Sequence, residues 1–135
     1  MVDNNPPYNK RNIGTGYENM AVEYLLSQGH TIIKRNYRTR FGEIDIISKD
    51  NSTIVFTECK YRSNNRYGYA IEAVDVRKQH KISRVALFFC TRYGYTSFPC
   101  RFDVIGIDRN NRITHIKNAF DYRCCLLYTS DAADE

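Results

Sequence analysis

The chain has 135 residues, a hydrophobic content of 42% and a formal net charge of +5. This length suits one compact domain, and the apolar fraction is sufficient for a core. No apolar run reaches the ~18 residues that a membrane-spanning helix needs. The polar N-terminus lacks the apolar segment of a secretory signal. The five cysteines form no CxxC pair, so we expect a cytoplasmic protein with reduced thiols.

The sequence predicts three segments of unequal importance. Residues 1–12 are expected to form a flexible N-terminal arm, residues 13–123 the folded domain, and residues 124–135 a disordered tail or an artefact of the gene model. The tail ends in CLLYTSDAADE, which contains three acids and no base. It has neither helical nor strand periodicity, so we exclude it from the fold. The basic character of the remaining chain is then stronger.

Hydrophobic periodicity predicts elements in the order αβββαββ, which indicates an α/β domain with a mixed sheet flanked by helices. The expected elements are a helix over 15–28, strands over 31–37, 42–48 and 53–61, a helix over 76–92, and strands over 101–107 and 112–116. Gly29 is expected to end the first helix. The segment 62–70 is expected to be a mobile loop, and a short segment over 118–122 closes the domain.

Charged residues interrupt two strands that otherwise look buried. Asp45 lies in GEIDII, and Glu58 and Lys60 lie in IVFTECK. A buried charge is costly unless it is paired or bound to a metal. If Asp50 and Asn51 are the central turn residues, all three side chains project from one face, with the two acids as diagonal neighbours. A slip of one residue would place the acids on opposite faces.

Two further acids are expected near this pair. The same register places Glu43 opposite Glu58. Glu18 continues the apolar stripe of the first helix, which includes Ala21 and Leu25, and so is expected to point towards the same place. The alternative for Glu18 is a charge that only stabilises the beginning of the helix.

Clustered carboxylates suggest a specific chemistry. Two unit negative charges about 4 Å apart repel by roughly 4 kcal/mol at an effective dielectric constant of about 20. A divalent cation would relieve this repulsion, and oxygen ligands without histidine or cysteine favour Mg²⁺ or Mn²⁺. Lys60 could orient water or stabilise charge on a phosphate. These parts suit phosphodiester hydrolysis. The alternative is a salt bridge in which Lys60 only neutralises Glu58 on a sheet surface.

A longer motif supports the nuclease interpretation. The spacing D45-(12 residues)-E58-C-K60 resembles the PD-(D/E)xK nuclease motif, with Ile44 in place of the proline. The segments GTGYENMAVEYLLSQGHTIIKRNYRTRFGEIDII, IVFTECKYR, AVDVRKQHKI, CRFDVIGI and IKNAF resemble the YraN-like family of bacterial proteins over residues 12–120. That family is similar in motif order to archaeal Holliday-junction resolvases. It usually has VEVK or VEVR where this chain has Thr57-Glu58-Cys59-Lys60.

The resemblance implies a restriction-endonuclease-like fold, with residues 13–123 as a nuclease-like domain. It implies catalytic roles for Glu18, Asp45, Glu58 and Lys60, with the three acids as ligands of Mg²⁺ or Mn²⁺. The expected activity is a metal-dependent endodeoxyribonuclease of the PD-(D/E)xK type, with branched or junction DNA among its substrates. Resolvases act as symmetric dimers, so the resemblance is also compatible with a homodimer.

Basic side chains surround the proposed site and could bind phosphates, with tyrosines available for stacking on bases. The residues expected to hold the DNA backbone are Arg35, Arg38, Arg62, Lys78 and Lys81. Gln79 is a weaker candidate for supporting the site. Two alternatives remain open. The basic residues could form an ordinary solvated face, or the protein could be a non-catalytic nucleic-acid-binding adaptor with the same fold.

Overall fold

A computed structural model of the protein describes residues 10–62 and 74–123. Its elements are α1 (Lys10–Ser27), β1 (Thr31–Thr39), β2 (Gly42–Asp50), β3 (Thr53–Arg62), α2 (Val76–Tyr93), β4 (Cys100–Asp108) and β5 (Ile113–Phe120). The predicted order αβββαββ is confirmed. Residues 1–9 of the predicted arm, residues 63–70 of the predicted loop and the predicted tail at 124–135 lie outside the described residues.

The strands form one mixed sheet in the order β1-β2-β3-β4-β5. Strands β3 and β4 are parallel, and the other neighbouring pairs are antiparallel. A parallel pair needs a long crossover connection, and α2 lies within the one that joins β3 to β4. The predicted mixed sheet with flanking helices is confirmed. No helix in the described ranges has the length and apolar character needed to cross a bilayer.

The two helices cover opposite faces of the sheet with separate apolar cores. On the α1 side, the buried residues are Ala21, Leu25, Ile46, Ile105 and Ile107. On the α2 side, the buried residues include Ile44, Ile47, Phe56, Val85, Phe89, Phe102 and Val104. The alternating side chains of the central strands therefore contribute to both cores.

The beginning of α1 differs from the prediction. The helix starts at Lys10 rather than at residue 15, so its first turn includes part of the predicted arm. Gly14 lies among the added residues and has a low intrinsic helix propensity, which is consistent with the later predicted start.

The turn between β2 and β3 lies one residue later than predicted. Asp50 pairs with Thr53, so the central turn residues are Asn51 and Ser52. Asn51 has a φ of 56°, a left-handed conformation that asparagine tolerates better than most residues. The turn still has an even number of residues, but Ile44 packs in the α2-side core and Ile46 in the α1-side core, so the predicted alternation of faces is interrupted at Asp45.

The corrected register changes which residues are opposite one another. The pair Ile46–Thr57 is the last along β2 and β3, so the two strands stop pairing before Asp45 and Glu58. The predicted pairing of Glu43 with Glu58 is wrong. Glu43 instead lies opposite Arg38 on β1.

The C-terminal strand is longer than predicted because it contains an irregularity. Strand β5 continues to Phe120, so residues 118–120 of the predicted closing segment belong to it. The register with β4 shifts between Phe102 and Val104, and Asn118 has a φ of 52°. Two steps along β4 here correspond to four along β5, so the irregularity inserts extra residues without ending the strand, which explains the early predicted end at residue 116.

Candidate active site

Asp45 lies where β2 and β3 stop pairing. Beyond the Ile46–Thr57 pair, β3 continues alongside β4, with Glu58 opposite Val104. The Oδ2 atom of Asp45 accepts a hydrogen bond of 2.8 Å from the backbone N–H of Cys59. The carboxylate thus bonds to a β3 backbone group and is fixed beside Glu58.

Glu58 is nearly buried and bonds to two lysines. Its side chain is 7% exposed, and its Oε2 atom lies 3.1 Å from Nζ of Lys60 and 2.6 Å from Nζ of Lys78. Lys60 is two residues further along β3, and Lys78 is in the first turn of α2. Burial lowers the pKa of Lys78, but the hydrogen bond and charge of Glu58, together with Lys60 and the charge of Asp45, outweigh burial and raise this pKa. The two ammonium groups stabilise a carboxylate that would otherwise be costly to bury.

Capping fixes the position of Lys78. Asp75 is the N-cap of α2, and its Oδ1 atom accepts a hydrogen bond of 2.9 Å from the backbone N–H of Lys78. This bond satisfies one of the free N–H groups at the beginning of the helix. The first turn of α2 is thereby held against the end of β3, and the ammonium group of Lys78 reaches Glu58.

The electrostatic environment of Asp45 raises its pKa to about 7, principally through burial and secondly through the charge of Glu58. The charge of Glu18 acts in the same direction, whereas the hydrogen bond from Cys59 opposes it. Asp45 is therefore close enough to both acids for their charges to interact. Because the acids interact, the site binds a proton or another cation more readily than an isolated carboxylate does.

Glu18 lies at one wall of the site and is held by its own partners. Its Oε1 atom accepts a hydrogen bond of 3.0 Å from Nδ2 of Asn36 and lies 3.8 Å from Nη2 of Arg35. Glu18, Asp45 and Lys60 line one cavity of about 150 Å³. The other lining residues are Tyr17, Cys59, Tyr61 and Ile107. The rings of Tyr17 and Tyr61 stack with centroids 4.2 Å apart.

The four predicted catalytic residues therefore lie near one another. Glu18, Asp45 and Lys60 line the cavity, and Glu58 contacts Lys60. The three acids do not form a ready-made metal cage, because no group of three or more His, Cys, Asp or Glu residues converges in ligand geometry within the described ranges. Asp45 and Glu58 offer the hard oxygen atoms that suit Mg²⁺, which typically uses one or two carboxylates and keeps several waters. The donor chemistry fits a magnesium site formed by these two residues.

The residues predicted to hold DNA do not share one surface. Arg35 contacts Glu18 and Asn19 on α1. Arg38 pairs with Glu43, with Nε and Oε1 3.0 Å apart. Lys81 is exposed on α2, and the side chain of Arg62 lies outside the described part.

Lys78 and Gln79 also differ from their expected positions. Lys78 belongs to the site itself rather than to a distant backbone-binding surface, because it bonds to Glu58. The Nε2 atom of Gln79 donates to the carbonyl oxygen of Val74, and its Oε1 atom accepts from Nε of Arg123. Gln79 thus ties the beginning of α2 to the segment after β5 and supports the site only indirectly.

A second buried polar cluster was missed by the sequence analysis. Asp103 on β4 is fully buried and accepts hydrogen bonds from Arg101, from Nε2 of His115 and from the backbone N–H of Asn118. Burial would raise the pKa of Asp103, but these bonds outweigh it and lower the pKa. Arg101 also bonds to Asp50 at 3.0 Å. The cluster ties β4, β5 and the end of β2 together.

Relatives of the chain place it in a family. The family described as Uncharacterised protein family UPF0102 matches residues 17–107. The chain belongs to this family. UPF0102 proteins from Persephonella marina and Clostridioides difficile are 48% and 44% identical to it. The first alignment covers 77% of this chain and 89% of the relative, and the second covers 83% and 99%. The resemblance to the YraN-like family is thus confirmed.

One solved structure shows a weak similarity to this UPF0102 protein. SfsA of Pyrococcus furiosus, in complex with Ca²⁺, is 13% identical and has a TM-score of 0.37. The match covers 81% of this chain and 64% of the SfsA chain. A similarity at this level does not bear on function.

Proposed function

We propose that this UPF0102 protein is a metal-dependent endonuclease that hydrolyses DNA phosphodiesters, with branched or junction DNA among its substrates. The observation that carries the proposal is the meeting of Asp45, Glu58 and Lys60 at the end of the β2–β3 ladder. Two hard carboxylates and an ammonium group suit metal-dependent hydrolysis of a phosphodiester.

The proposed metal ligands are Asp45 and Glu58, with water completing the coordination of Mg²⁺ or Mn²⁺. A bound Mg²⁺ would supply charge stabilisation for the phosphate and would make a bound water more acidic. Burial, and secondly the charge of Glu58, raise the pKa of Asp45. This supports the assignment, because a divalent cation would stabilise the ionised carboxylate against both effects.

The remaining residues act on the substrate and on its water. Lys60 is partly exposed and lines the cavity, so its ammonium group can reach a phosphate oxygen and stabilise the charge that develops there. Glu18 lines the same cavity, where it can hold a water molecule for proton transfer. Lys78 holds Glu58 in place and is a positioning residue in this scheme.

A specific observation supports the second candidate, a DNA-binding adaptor without catalysis. Glu58 is already neutralised by Lys60 and Lys78 without any metal. Such an ion pair is sufficient to explain a buried carboxylate on structural grounds alone. The two candidates differ in whether Asp45 affects DNA cleavage or only the stability of the fold.

Cleavage and binding assays on the same DNA molecules distinguish the two functions. Linear, nicked, flapped and four-way DNA are incubated with the full chain in Mg²⁺ or Mn²⁺, beside Asp45→Asn and Glu58→Gln. Glu23→Gln, an exposed change on α1, is the matched control. Cleavage by the unchanged protein and by Glu23→Gln, but not by the two site variants, supports the enzyme. Equal binding by all four proteins, without any cleavage, supports the adaptor.

A further inference from the structure

A second concave surface lies on the α2 side of the sheet. It is a cleft of about 610 Å³ between the end of β1, the β1–β2 turn and the C-terminal half of α2. We call it the arginine–aromatic cleft and define it by Arg38, Arg40, Phe41, Phe88, Arg92 and Tyr93. Phe88 and Tyr93 are 40% and 44% exposed, so the cleft presents large aromatic surfaces to solvent.

Guanidinium groups lie over the rings of this cleft. Arg84 and Arg40 approach the ring of Phe41, with Cζ 4.2 Å and 5.1 Å from its centroid. Arg92 lies 5.6 Å from the centroid of Tyr93. Cation–π contacts of this kind keep the arginines beside the rings while their N–H groups remain available to an anion.

The charge of the cleft is predominantly positive. Arg38 is partly neutralised, because it pairs with the exposed Glu43. Within the described part of the chain, Arg40, Arg84 and Arg92 form no ion pair with a carboxylate. A surface that combines unpaired arginines with exposed aromatic rings is complementary to a single nucleic-acid strand, whose phosphates are anionic and whose bases stack.

The position of the cleft relates it to the candidate active site. Lys78, Lys81, Arg84, Phe88 and Arg92 recur at intervals of three or four residues along α2, so they follow one side of the helix. At 1.5 Å per residue, the distance from Lys78 to Arg92 is about 21 Å. That is roughly six phosphate steps of a stacked strand at 3.4 Å each. One strand could thus extend from the site to the cleft.

The geometry points to the arginine–aromatic cleft as a binding site for the single-stranded segment of a DNA substrate. This inference rests on the proposed function for the nature of the ligand. Bases stack on Phe88, and Arg40, Arg92 and the adjoining Arg84 hold the phosphates. The substrate class is then DNA with a single-stranded arm, such as a flap or a splayed end, rather than continuous duplex.

Fluorescence anisotropy tests the inference without any cleavage step. A labelled single-stranded oligonucleotide and a duplex of the same sequence are titrated with the full-length Asp45→Asn protein, alone or combined with Phe88→Ala or Arg92→Gln. We expect Phe88→Ala to weaken single-strand binding by roughly 5- to 150-fold, as for the loss of a base–aromatic stack, with a much smaller effect on duplex. We expect Arg92→Gln to reduce the dependence of log affinity on log salt by about 0.7.

Matched controls lie nearby in the fold. Leu87→Ala removes the neighbouring exposed apolar side chain of α2, and Arg109→Gln removes an exposed charge from the β4–β5 turn. Both should change single-strand affinity less than twofold. Unchanged affinity in Phe88→Ala and Arg92→Gln, confirmed as folded by thermal melting, would overturn the inference. Equal losses for single strand and duplex in Phe88→Ala would overturn it as well.

The two proposals fail in different ways. If no protein cleaves DNA but Phe88→Ala loses single-strand binding selectively, the nuclease proposal fails and the cleft assignment stands. If Asp45→Asn abolishes cleavage while the cleft variants bind and cleave like the unchanged protein, the cleft assignment fails and the nuclease proposal stands.

Discussion

The ammonium group of Lys78 lies 2.6 Å from the carboxylate of Glu58, which joins the first turn of α2 to the strand that carries the candidate site. Lys60 bonds to the same oxygen atom at 3.1 Å, so Glu58 has two cationic partners. One partner comes from the same strand and the other from across the fold. Removing Lys60 therefore tests a contact within β3, and removing Lys78 tests the contact between α2 and β3.

We expect Lys78→Met to reduce the free energy of unfolding by about 1–3 kcal/mol in metal-free buffer, because it removes a charge-assisted hydrogen bond from a nearly buried carboxylate. The apolar stem of methionine retains most of the packing. Urea denaturation measures the effect, with Lys117→Met, an exposed change on β5, as the control. Equal stabilities for the two variants would show that Lys60 alone is sufficient to neutralise Glu58.

The pH dependence of stability should depend on Asp45. Its pKa in the folded protein is about 7, above the value of about 3.9 for an unfolded chain. The folded state thus binds more protons between these values, and the free energy of unfolding falls as pH rises from about 4 to about 7. We expect this contribution to be on the order of 2–4 kcal/mol.

Asp45→Asn imitates the protonated acid and removes this titration. In metal-free buffer, the stability of the unchanged protein relative to that of Asp45→Asn should decline steadily across the same pH range. Denaturation curves at closely spaced pH values measure the difference. Parallel pH profiles for the two proteins would contradict the raised pKa.

The buried cluster around Asp103 should be important for stability but not for chemistry. Asp103→Asn leaves Arg101 and His115 with a weaker, neutral partner in a buried setting. Breaking a buried ion pair typically costs about 3–5 kcal/mol. We expect a loss of that size in urea denaturation, against less than about 0.5 kcal/mol for the exposed control Asp121→Asn. A loss below about 1 kcal/mol for Asp103→Asn would show that the cluster is not structural.

The cap of α2 should affect both stability and the site. Asp75→Ala removes the acceptor for the backbone N–H of Lys78 and should reduce stability by about 0.5–2 kcal/mol, whereas Asp75→Asn should retain most of it. If the cap positions Lys78, the loss of stability caused by Lys78→Met should be smaller in the Asp75→Ala protein than in the unchanged protein. A double-mutant cycle measures this difference. Strict additivity of the two changes would mean that the cap stabilises the helix without positioning the lysine.

Most of the fold could be predicted because each element has a strong local pattern. The alternation along β3 and the apolar stripe of α2 depend only on residues close in sequence. The end of α1 was predicted in the same way from Gly29, which has a φ of 92°. The turn after β2 was misplaced by one residue because Asp50, Asn51 and Ser52 are all favourable turn residues.

The contacts that complete the site could not be predicted from local patterns. Lys78 is one of several basic residues on α2, and its contact with Glu58 depends on how the helix packs against β3. Asp103 lies in CRFDVIGI and, like Asp45, is an acid within an apolar strand. Applying the Asp45 argument to it would have indicated a buried acid, but two of its partners, His115 and Asn118, come from the neighbouring strand β5 and depend on its register.

The most direct test of the central claim is the rate of DNA cleavage by Asp45→Asn under single-turnover conditions, with protein in excess over a flapped substrate in Mg²⁺. Removing a ligand that acts in the transition state typically costs at least about 100-fold. We predict such a loss for Asp45→Asn, with the rate of Glu23→Gln unchanged. Equal cleavage rates for the unchanged protein and Asp45→Asn would contradict the assignment of the site.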